Sequence, residues 1–360
     1  MTQSVNEEQV REIVAEVVNR VLSAHSGSES TSELPSPGGV GGVFAAVDAA
    51  VDAARRAQAQ LLSMTLEDRS RIIDAIRDTL RSKAEEFARR TLGETGMGRL
   101  EDKIRKHHVA ADTTPGVEDL QAVSWTGDHG LTVVEMAPFG VIAAITPSTH
   151  PVPTMASNAI GIIAAGNAAV FNAHPAARQI SAAAVQQLNA AIVQAGGPSN
   201  LITIMENPTV ESATELFNHA GVDVILVTGG PAVARAAMGC PKKAIVAGPG
   251  NPPVVVDETA DLERAARDIV DGASFDNNLL CIGEKQVFVV DSVADSLKSH
   301  MVRYSAYELN PEQIEQLARE AFVSEEGGEP HVNRDLVGRD AAVLGARLGL
   351  QLDDSLRLLI

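Results

Sequence analysis

The first apolar pattern along the chain is helical. Within residues 5–22 the apolar side chains recur at intervals of three and four, with charged side chains off that stripe, which predicts an amphipathic helix in residues 1–24. Residues 25–42 are rich in Ser, Gly and Pro and predict a flexible linker. The helix could fold back on the globular body or dock on a partner protein. A membrane surface is disfavoured, because the polar face is more acidic than basic.

The globular part is expected to begin near Val43 with two helices, at about 44–64 and 66–96. Thr65 with Asp68 resembles a helix N-cap followed by an acidic first turn. Gly93 and Gly96 are expected to close the second helix.

From Leu131 onward, strand-like and helix-like segments alternate. Residues 131–147 are β-rich and mostly apolar, as a buried strand should be. The later segments alternate helix and strand in two blocks. This order predicts βαβ units, a parallel sheet with right-handed crossovers, and therefore the α/β fold class.

Ligands of such sheets bind beyond the carboxyl ends of the strands, so the loops at those ends are candidate binding loops. These loops are residues 146–153, 172–177, 227–232 and 247–253. The sequence has no Gly-x-Gly-x-x-Gly fingerprint. Thr228, Gly229 and Gly230 nevertheless lie between a strand and a helix, where backbone N–H groups can meet a pyrophosphate. Glycines in such a turn can equally serve its geometry alone.

Composition excludes several classes of protein. The net charge of −18 argues against a nucleic-acid groove, because such a groove needs a positive surface. The two cysteines form no Cys-dense framework, which indicates a reducing compartment without a disulfide scaffold. No apolar run is long enough for a membrane span, and no secretory signal is visible. No metal site is predicted.

One cysteine stands in a distinctive context. Cys281 follows an Asp-Asn-Asn run and an apolar pair and precedes Ile-Gly. It is either a nucleophile or a small buried core residue. Cys240 lies near a helix end without such a context and is expected to be structural.

Taken together, these loops resemble the aldehyde dehydrogenase superfamily, and within it the CoA-acylating propionaldehyde dehydrogenases of bacterial microcompartments. The resemblance is carried by residues 127–151, 164–177, 227–230, 247–278 and 281–295. It implies an aldehyde dehydrogenase fold, with a Rossmann-like NAD-binding domain at 43–245 and a partial α/β catalytic domain at 246–360. It also implies that residues 1–24 are an encapsulation peptide.

The resemblance assigns roles to residues. Cys281 is the implied nucleophile, which forms a thiohemiacetal with an aldehyde and then a thioester. Thr149 and His150 occupy the oxyanion loop and are further candidate catalytic residues, although His150 could also be satisfied by local backbone. His174 falls where relatives place a lysine near the cofactor ribose. The candidate cofactor-binding residues are Thr146, Pro147, Ser148, His174, Thr228, Gly229, Gly230, Ala247, Gly248, Pro249 and Gly250.

The acyl acceptor follows from a missing carboxylate. Hydrolytic relatives carry a glutamate that activates water, and Val246 stands at the matching position, where no side chain can act as a general base. Coenzyme A, a thiol, is therefore the expected acceptor, and the Gly-Pro-Gly-Asn-Pro-Pro stretch leaves backbone room for its arm. A tight turn would give the same sequence.

The implied activity is the NAD-dependent conversion of a short aliphatic aldehyde, such as propionaldehyde, to its acyl-CoA. The implied location is cytoplasmic, inside a bacterial microcompartment. A shell or cargo protein is the expected partner of residues 1–24, no nucleic acid or membrane is expected, and a complete chain is expected to form a homo-oligomer.

The resemblance is interrupted at residue 360, within the implied catalytic domain, so the chain is expected to be a fragment or a natural truncation. Two other functions stay open. One is a hydrolytic aldehyde dehydrogenase; the other is a catalytically inactive cargo protein.

Overall fold

The computed structural model describes residues 39–323 and 331–360. The predicted helix in residues 1–24 lies outside the described residues, as does the predicted linker up to residue 38. The last residues of that linker already contact the fold. The Gly42 carbonyl accepts a hydrogen bond from the Ile204 amide at 2.9 Å, and the Gly41 carbonyl accepts one from the Asn189 side chain at 3.2 Å.

The described strands and helices follow each other in an α/β order. The strands are β1 (Val43–Phe44), β2 (Val123–Gly127), β3 (Gly130–Val134), β4 (Val141–Thr146), β5 (Ala168–Ala173), β6 (Ile202–Met205), β7 (Val224–Thr228), β8 (Lys243–Ala247), β9 (Pro253–Val256), β10 (Gln286–Val289), β11 (Ala306–Tyr307), β12 (Phe322–Val323), β13 (His331–Val332) and β14 (Leu358–Leu359). The helices are α1 (Val47–Leu61), α2 (Leu66–Thr95), α3 (Leu100–Thr113), α4 (Pro151–Ala164), α5 (Arg178–Gln194), α6 (Val210–Asn218), α7 (Pro231–Met238), α8 (Leu262–Ser274), α9 (Asp291–Arg303), α10 (Pro311–Ala321) and α11 (Ala341–Arg347).

A six-stranded parallel sheet forms the centre of the fold, in the spatial order β1, β6, β5, β4, β7, β8. Strands β4, β5 and β6 are buried along their whole length, which explains their nearly continuous apolar sequences. The predicted α/β fold with a parallel sheet is confirmed.

The strand order reverses beside β4. From β4 the chain moves through α4 and α5 to β5 and β6, and it then returns through α6 to β7 and β8 on the other side of β4. Because crossovers between parallel strands are right-handed as a rule, α4 and α5 are expected on one face of the sheet and α6 and α7 on the other. Such a reversal defines a switch point, here between β4 and β7, where open α/β sheets bind ligands.

The start of α2 agrees with the sequence prediction. The Asp68 amide donates to the Thr65 hydroxyl oxygen at 3.1 Å, and the Thr65 amide donates to the Asp68 carboxylate at 2.9 Å, which forms a capping box. Gly96, with φ of +67°, ends the helix. The expectation that Gly93 also closes it was wrong, because Gly93 lies inside the helix and only Gly96 adopts the left-handed conformation.

The prediction of one buried strand across 131–147 was wrong in its first half. Residues 130–134 form β3, which pairs with β2 in an antiparallel hairpin whose residues are all exposed. Trp125 is 58% and Leu131 65% exposed. The buried strand β4 begins only at Val141, because Pro138 and the positive-φ Gly140 interrupt the extended chain. Helix α3 was not predicted from the sequence.

The region after β8 has its own apolar core. Strands β9 and β10 pair in parallel, and α8 packs against α9. The core residues are Val256, Ala266, Ile269, Val270, Leu297, Met301 and Ala306. The proposed domain boundary between residues 245 and 246 falls inside β8, and the division into two domains stays a proposal. Among the described residues, no helix combines the length and the apolar character needed to cross a bilayer.

Candidate active site

Four neighbouring strands present the predicted binding loops at one edge of the sheet. Because β5, β4, β7 and β8 are parallel and adjacent, their carboxyl ends lie side by side. The His174 amide donates to the Thr146 carbonyl at 3.0 Å, and the Gly229 amide donates to the Ala247 carbonyl at 3.2 Å. The structure therefore brings these loops, which are distant in sequence, into contact around the switch point.

The loop after β4 holds the candidate oxyanion residues. Thr146 is 2% exposed, and its hydroxyl has no hydrogen-bond partner among the described residues. The Thr149 hydroxyl lies 3.0 Å from His150 Nδ1. Burial lowers the pKa of His150 to about 3, and repulsion from Lys106 and Lys103 adds to this shift. His150 is therefore a neutral imidazole at pH 7, and if Thr149 donates to Nδ1, its Nε2 carries a hydrogen that can be donated.

His174 follows the end of β5, and one of its ring nitrogens is engaged in a local hydrogen bond. The Ala176 amide donates to His174 Nδ1 at 3.1 Å, which caps the short 3₁₀ turn at Pro175–Ala177. Partial burial, with repulsion from Arg334, lowers the pKa of His174. Its Nε2 remains available to a ligand, and its cofactor role stays a prediction.

The turn after β7 fits a pyrophosphate. Thr228, Gly229 and Gly230 lead directly into α7, whose N-terminus has no side-chain cap. A Cβ at Gly230 would meet no described atom within 4 Å, so the space beside this helix end is open. A Cβ at Gly229 would lie 2.8 Å from Val233 Cγ1. Uncapped helix N–H groups beside an open glycine suit an anion, so these residues fit the phosphates of NAD.

The loop after β8 touches the cysteine loop. A Cβ at Gly250 would lie 2.1 Å from the Cys281 carbonyl oxygen, so the two backbones are in direct contact. Two residues further on, the Lys285 amide donates to the Pro252 carbonyl at 3.1 Å. Residues 250–252 and 281–285 therefore run side by side, and Ala247, Gly248 and Pro249 connect the end of β8 to this contact.

Cys281 is half-buried and follows a strained turn. The three residues Asp276, Asn277 and Asn278 all have left-handed φ values, of 49°, 54° and 58°. The Asn278 amide group donates to the carbonyls of Ala273 and Glu284, at 2.6 and 2.9 Å, and so closes the loop that contains Cys281. Neither the Cys281 nor the Ile282 amide donates to a described residue, so both are available to an oxyanion.

A buried charge cluster lies behind this turn, and the sequence analysis missed it. Asp276 is 0% exposed and accepts hydrogen bonds from the ammonium groups of Lys103, at 3.2 Å, and Lys106. Lys106 also donates to the Thr149 carbonyl at 3.3 Å. Burial lowers the pKa of Lys106 to about 8, while attraction to Asp276 opposes the shift. The available signal was the spacing of the two lysines, three residues apart on one helical face.

Position 246 supplies no polar side chain to the site. Val246 lies in β8 and packs against the apolar cluster that includes Ile225, Val227 and Ala237. The nearest carboxylate after Cys281 in the chain, Glu284, packs against Gly272 of α8. Among the described residues there is also no cluster of three or more His, Cys, Asp or Glu side chains suited to a metal ion. The arrangement therefore supports the chemistry of a thiol beside free amides of its own loop, with the neutral imidazole of His150 on a second loop that Lys106 links to it.

The α/β sheet, its switch point and the cysteine loop beside it are the features of an aldehyde dehydrogenase fold, and residues 42–316 match the aldehyde dehydrogenase family. The chain belongs to this family. It is 50% identical over 307 residues to the acetaldehyde dehydrogenase (acetylating) EutE of Salmonella typhimurium, over 85% of this chain and 65% of that protein. The chain thus spans less than two thirds of the length of this relative.

Two solved structures are similar over most of this chain. A propionaldehyde dehydrogenase from the fucose utilisation microcompartment of Clostridium phytofermentans is 44% identical, with a TM-score of 0.85, over 88% of this chain and 72% of that one. The propionaldehyde dehydrogenase of Rhodopseudomonas palustris, solved with bound propionyl-CoA, is 42% identical, with a TM-score of 0.85, over 92% and 73%. The aldehyde dehydrogenase fold is thereby confirmed.

Proposed function

We propose that this protein is a CoA-acylating aldehyde dehydrogenase that converts a short aliphatic aldehyde to its acyl-CoA with NAD. The observation that carries the proposal is the position of Cys281, in a closed loop against Gly250 at the edge of the sheet, with an apolar residue at position 246. The acetylating and propionyl-CoA-binding relatives support the same reaction class.

The reaction begins at the Cys281 thiolate. Its sulfur adds to the aldehyde carbon, and the carbonyl oxygen becomes the oxyanion of a thiohemiacetal. The Cys281 amide and the Nε2–H of neutral His150 can donate to that oxyanion. NAD, when bound, supplies the hydride acceptor. Loss of hydride from the thiohemiacetal carbon leaves an acyl thioester on Cys281.

The acyl group then leaves to a second thiol. The thiolate of coenzyme A adds to the thioester carbonyl, and the Cys281 thiolate departs as the acyl-CoA forms. Attack by water would need a general base. Val246 provides none, and Glu284 packs against Gly272. The thioester is therefore expected to persist until coenzyme A binds.

Replacement of the nucleophile tests the first step. Cys281→Ala should abolish NADH formation from propionaldehyde, as well as the mass increase of the acyl-enzyme, because no thiohemiacetal can form. Cys240→Ala should leave both nearly intact, since its thiol donates to the Phe217 carbonyl, at 3.1 Å, and packs against an apolar cluster rather than in the Cys281 loop. A substantial rate in Cys281→Ala would refute the mechanism.

Product analysis separates the alternatives. With coenzyme A present, mass spectrometry should find acyl-CoA as the main product and free acid only as a slow side product. Free propionate as the main product would support a hydrolytic enzyme instead. No NADH formation by the unmodified chain, with or without coenzyme A, would favour an inactive cargo protein.

We also propose that residues 1–24 direct the protein into a bacterial microcompartment by docking on a shell or cargo protein. The support is the apolar stripe in the sequence, Val10, Ile13, Val14, Val17, Val18, Val21 and Leu22. A short helix is marginal in water and gains stability when another surface covers such a stripe. The microcompartment origin of a similar structure adds to it.

A fusion experiment tests this targeting. Residues 1–42 joined to a fluorescent reporter should form foci in cells that make the shell. Ile13→Glu with Val17→Glu should disperse them, because two charges enter the stripe. Diffuse fluorescence from the unmutated fusion would refute the proposal.

A further inference from the structure

The turn before Cys281 needs external support. Three successive non-glycine residues, Asp276, Asn277 and Asn278, hold left-handed φ values between 49° and 58°. Left-handed φ values are unfavourable for residues that carry a Cβ, although Asp and Asn tolerate them best. A run of this kind persists only where the surrounding structure fixes it. The partners of these residues therefore determine where Cys281 lies.

Each residue of the turn has its own anchor. Asp276 accepts from the Arg99 amide at 2.8 Å and from Lys103 and Lys106, and its own amide donates to Asp102 at 2.9 Å. Asn277 is held by the Arg99 guanidinium and by the Gly338 carbonyl. Asn278 closes the loop onto Ala273 and Glu284.

Lys106 differs from the other anchors because it also contacts the loop that holds the candidate oxyanion residues. Its ammonium group donates to Asp276, in the nucleophile loop (residues 274–284), and to the Thr149 carbonyl, in the oxyanion loop (residues 146–150). Lys103, which lies three residues earlier on the same helix, contacts Asp276 but has no hydrogen bond to the oxyanion loop. A single ammonium group therefore links two segments that are more than a hundred residues apart.

The cluster contains both acidic and basic side chains, so removing one charge changes the electrostatic environment of the others. Asp276 and Asp102 face Lys103 and Lys106, and Arg357 donates to Asp102 at 3.2 Å. Removing one partner of a buried charge leaves a group that is poorly compensated, which destabilises a protein strongly. A test must therefore separate loss of position from loss of stability.

We propose that Lys106 is a positioning residue, which sets the distance between the Cys281 nucleophile and the oxyanion donors by binding Asp276 and the Thr149 carbonyl together. The proposal rests on the assignment of Cys281 as the nucleophile. Lys106 is proposed to set the spacing of the nucleophile loop and the oxyanion loop. Its loss should therefore slow reactions in which the thiol attacks and an oxyanion forms. Reactions that need only the thiol should keep their rate.

Two reagents distinguish such steps without aldehyde or NAD. Iodoacetamide alkylates the thiol by displacement and creates no oxyanion. The ester p-nitrophenyl acetate acylates the thiol through a tetrahedral oxyanion. In a Cys240→Ala background, the rates of both modifications of Cys281 can be followed by the mass of the intact protein.

Lys106→Met should lower the acylation rate by roughly 10- to 100-fold, because a donor displaced by about 1 Å loses catalysis on that scale. Its alkylation rate should stay within about threefold of the parent. Lys103→Met is the matched control, since it removes an ammonium group from Asp276 without touching the oxyanion loop, and should lower acylation less. Lys106→Gln, with a neutral donor, serves if Lys106→Met does not fold, as judged by thermal unfolding.

Equal losses of acylation in the Lys103 and Lys106 variants would overturn the proposal, because the lysines would then only balance the charge of Asp276. Parallel losses of acylation and alkylation would also overturn it, since they indicate collapse of the loop. These outcomes differ from failure of the proposed function, in which Cys281→Ala retains aldehyde oxidation or the unmodified chain lacks it.

Discussion

The contact between Gly250 and Cys281 gives a quantitative prediction about turnover. Gly250→Ala would place a Cβ 2.1 Å from the Cys281 carbonyl oxygen and 3.1 Å from its carbonyl carbon. Non-bonded heavy atoms prefer about 3.5 Å, so the two backbones must separate by more than about 1 Å. Because both colliding atoms belong to the backbone, no side-chain rotation can relieve the clash. We expect the cysteine loop to move as a unit.

The expected loss follows from that displacement. A misplacement of about 1 Å at a reacting centre can lower catalysis by about 100-fold, which corresponds to about 2.7 kcal/mol of transition-state stabilisation. Gly250→Ala should therefore lower kcat/KM for propionaldehyde by about two orders of magnitude. The crowding itself should lower the free energy of unfolding by about 1–3 kcal/mol.

The assay is the initial rate of NADH formation with coenzyme A at several aldehyde concentrations, together with thermal unfolding of each variant. Gly93→Ala is the control, because a Cβ there meets nothing within 4 Å and the residue lies inside α2. It should leave kcat/KM unchanged and raise stability by about 0.5–1 kcal/mol. If Gly250→Ala turned over aldehyde as fast as Gly93→Ala, the inferred proximity of the two loops at the reacting centre would be wrong.

Three further predictions concern stability and product. Thr65→Ala should lower the free energy of unfolding by about 1 kcal/mol in denaturant titration, because the capping box with Asp68 is lost; no change would contradict this. Burial lowers the pKa of His107 to about 4, so the folded state binds fewer protons and loses roughly 3 kcal/mol as pH falls from 7 to 4. His107→Gln should reduce that pH dependence in thermal unfolding, and an unchanged slope would refute the assignment. Val246→Glu should lower stability by about 1–3 kcal/mol, because it puts a charge into an apolar cluster, and should raise the free-acid share of the product; acyl-CoA alone would argue against Val246 as the missing base position.

Local patterns in the sequence determined most of the secondary structure. The buried strands β4, β5 and β6 read as apolar runs because both faces of a parallel sheet are covered, and the cap at Thr65 needs only residues three positions apart. The prediction failed where a local apolar run could belong either to the core or to an exposed hairpin. Leu131 and its neighbours look like a core strand, but they form an exposed hairpin.

The loops of the site could be identified because parallel strands end on the same edge of a sheet, so reading each strand end was enough to select Thr146, His174 and Thr228. The sequence did not show that these loops are adjacent. The spatial order β5, β4, β7, β8 depends on which connection takes the chain back across the sheet. The reversal places the loops after β4 and β7 side by side.

The charge cluster behind Cys281 belongs wholly to the tertiary structure. Lys106 and Asp276 are 170 residues apart, and a lysine on an amphipathic helix ordinarily indicates a solvated face. Sequence periodicity reports whether a position is covered, but it does not report by which group. The contact exists because α3 packs against the turn that carries Asp276, and burial there is tolerable only when each charge has a partner. The need for glycine at position 250 is also a tertiary effect, because only the contact with the Cys281 backbone leaves no room for a side chain there.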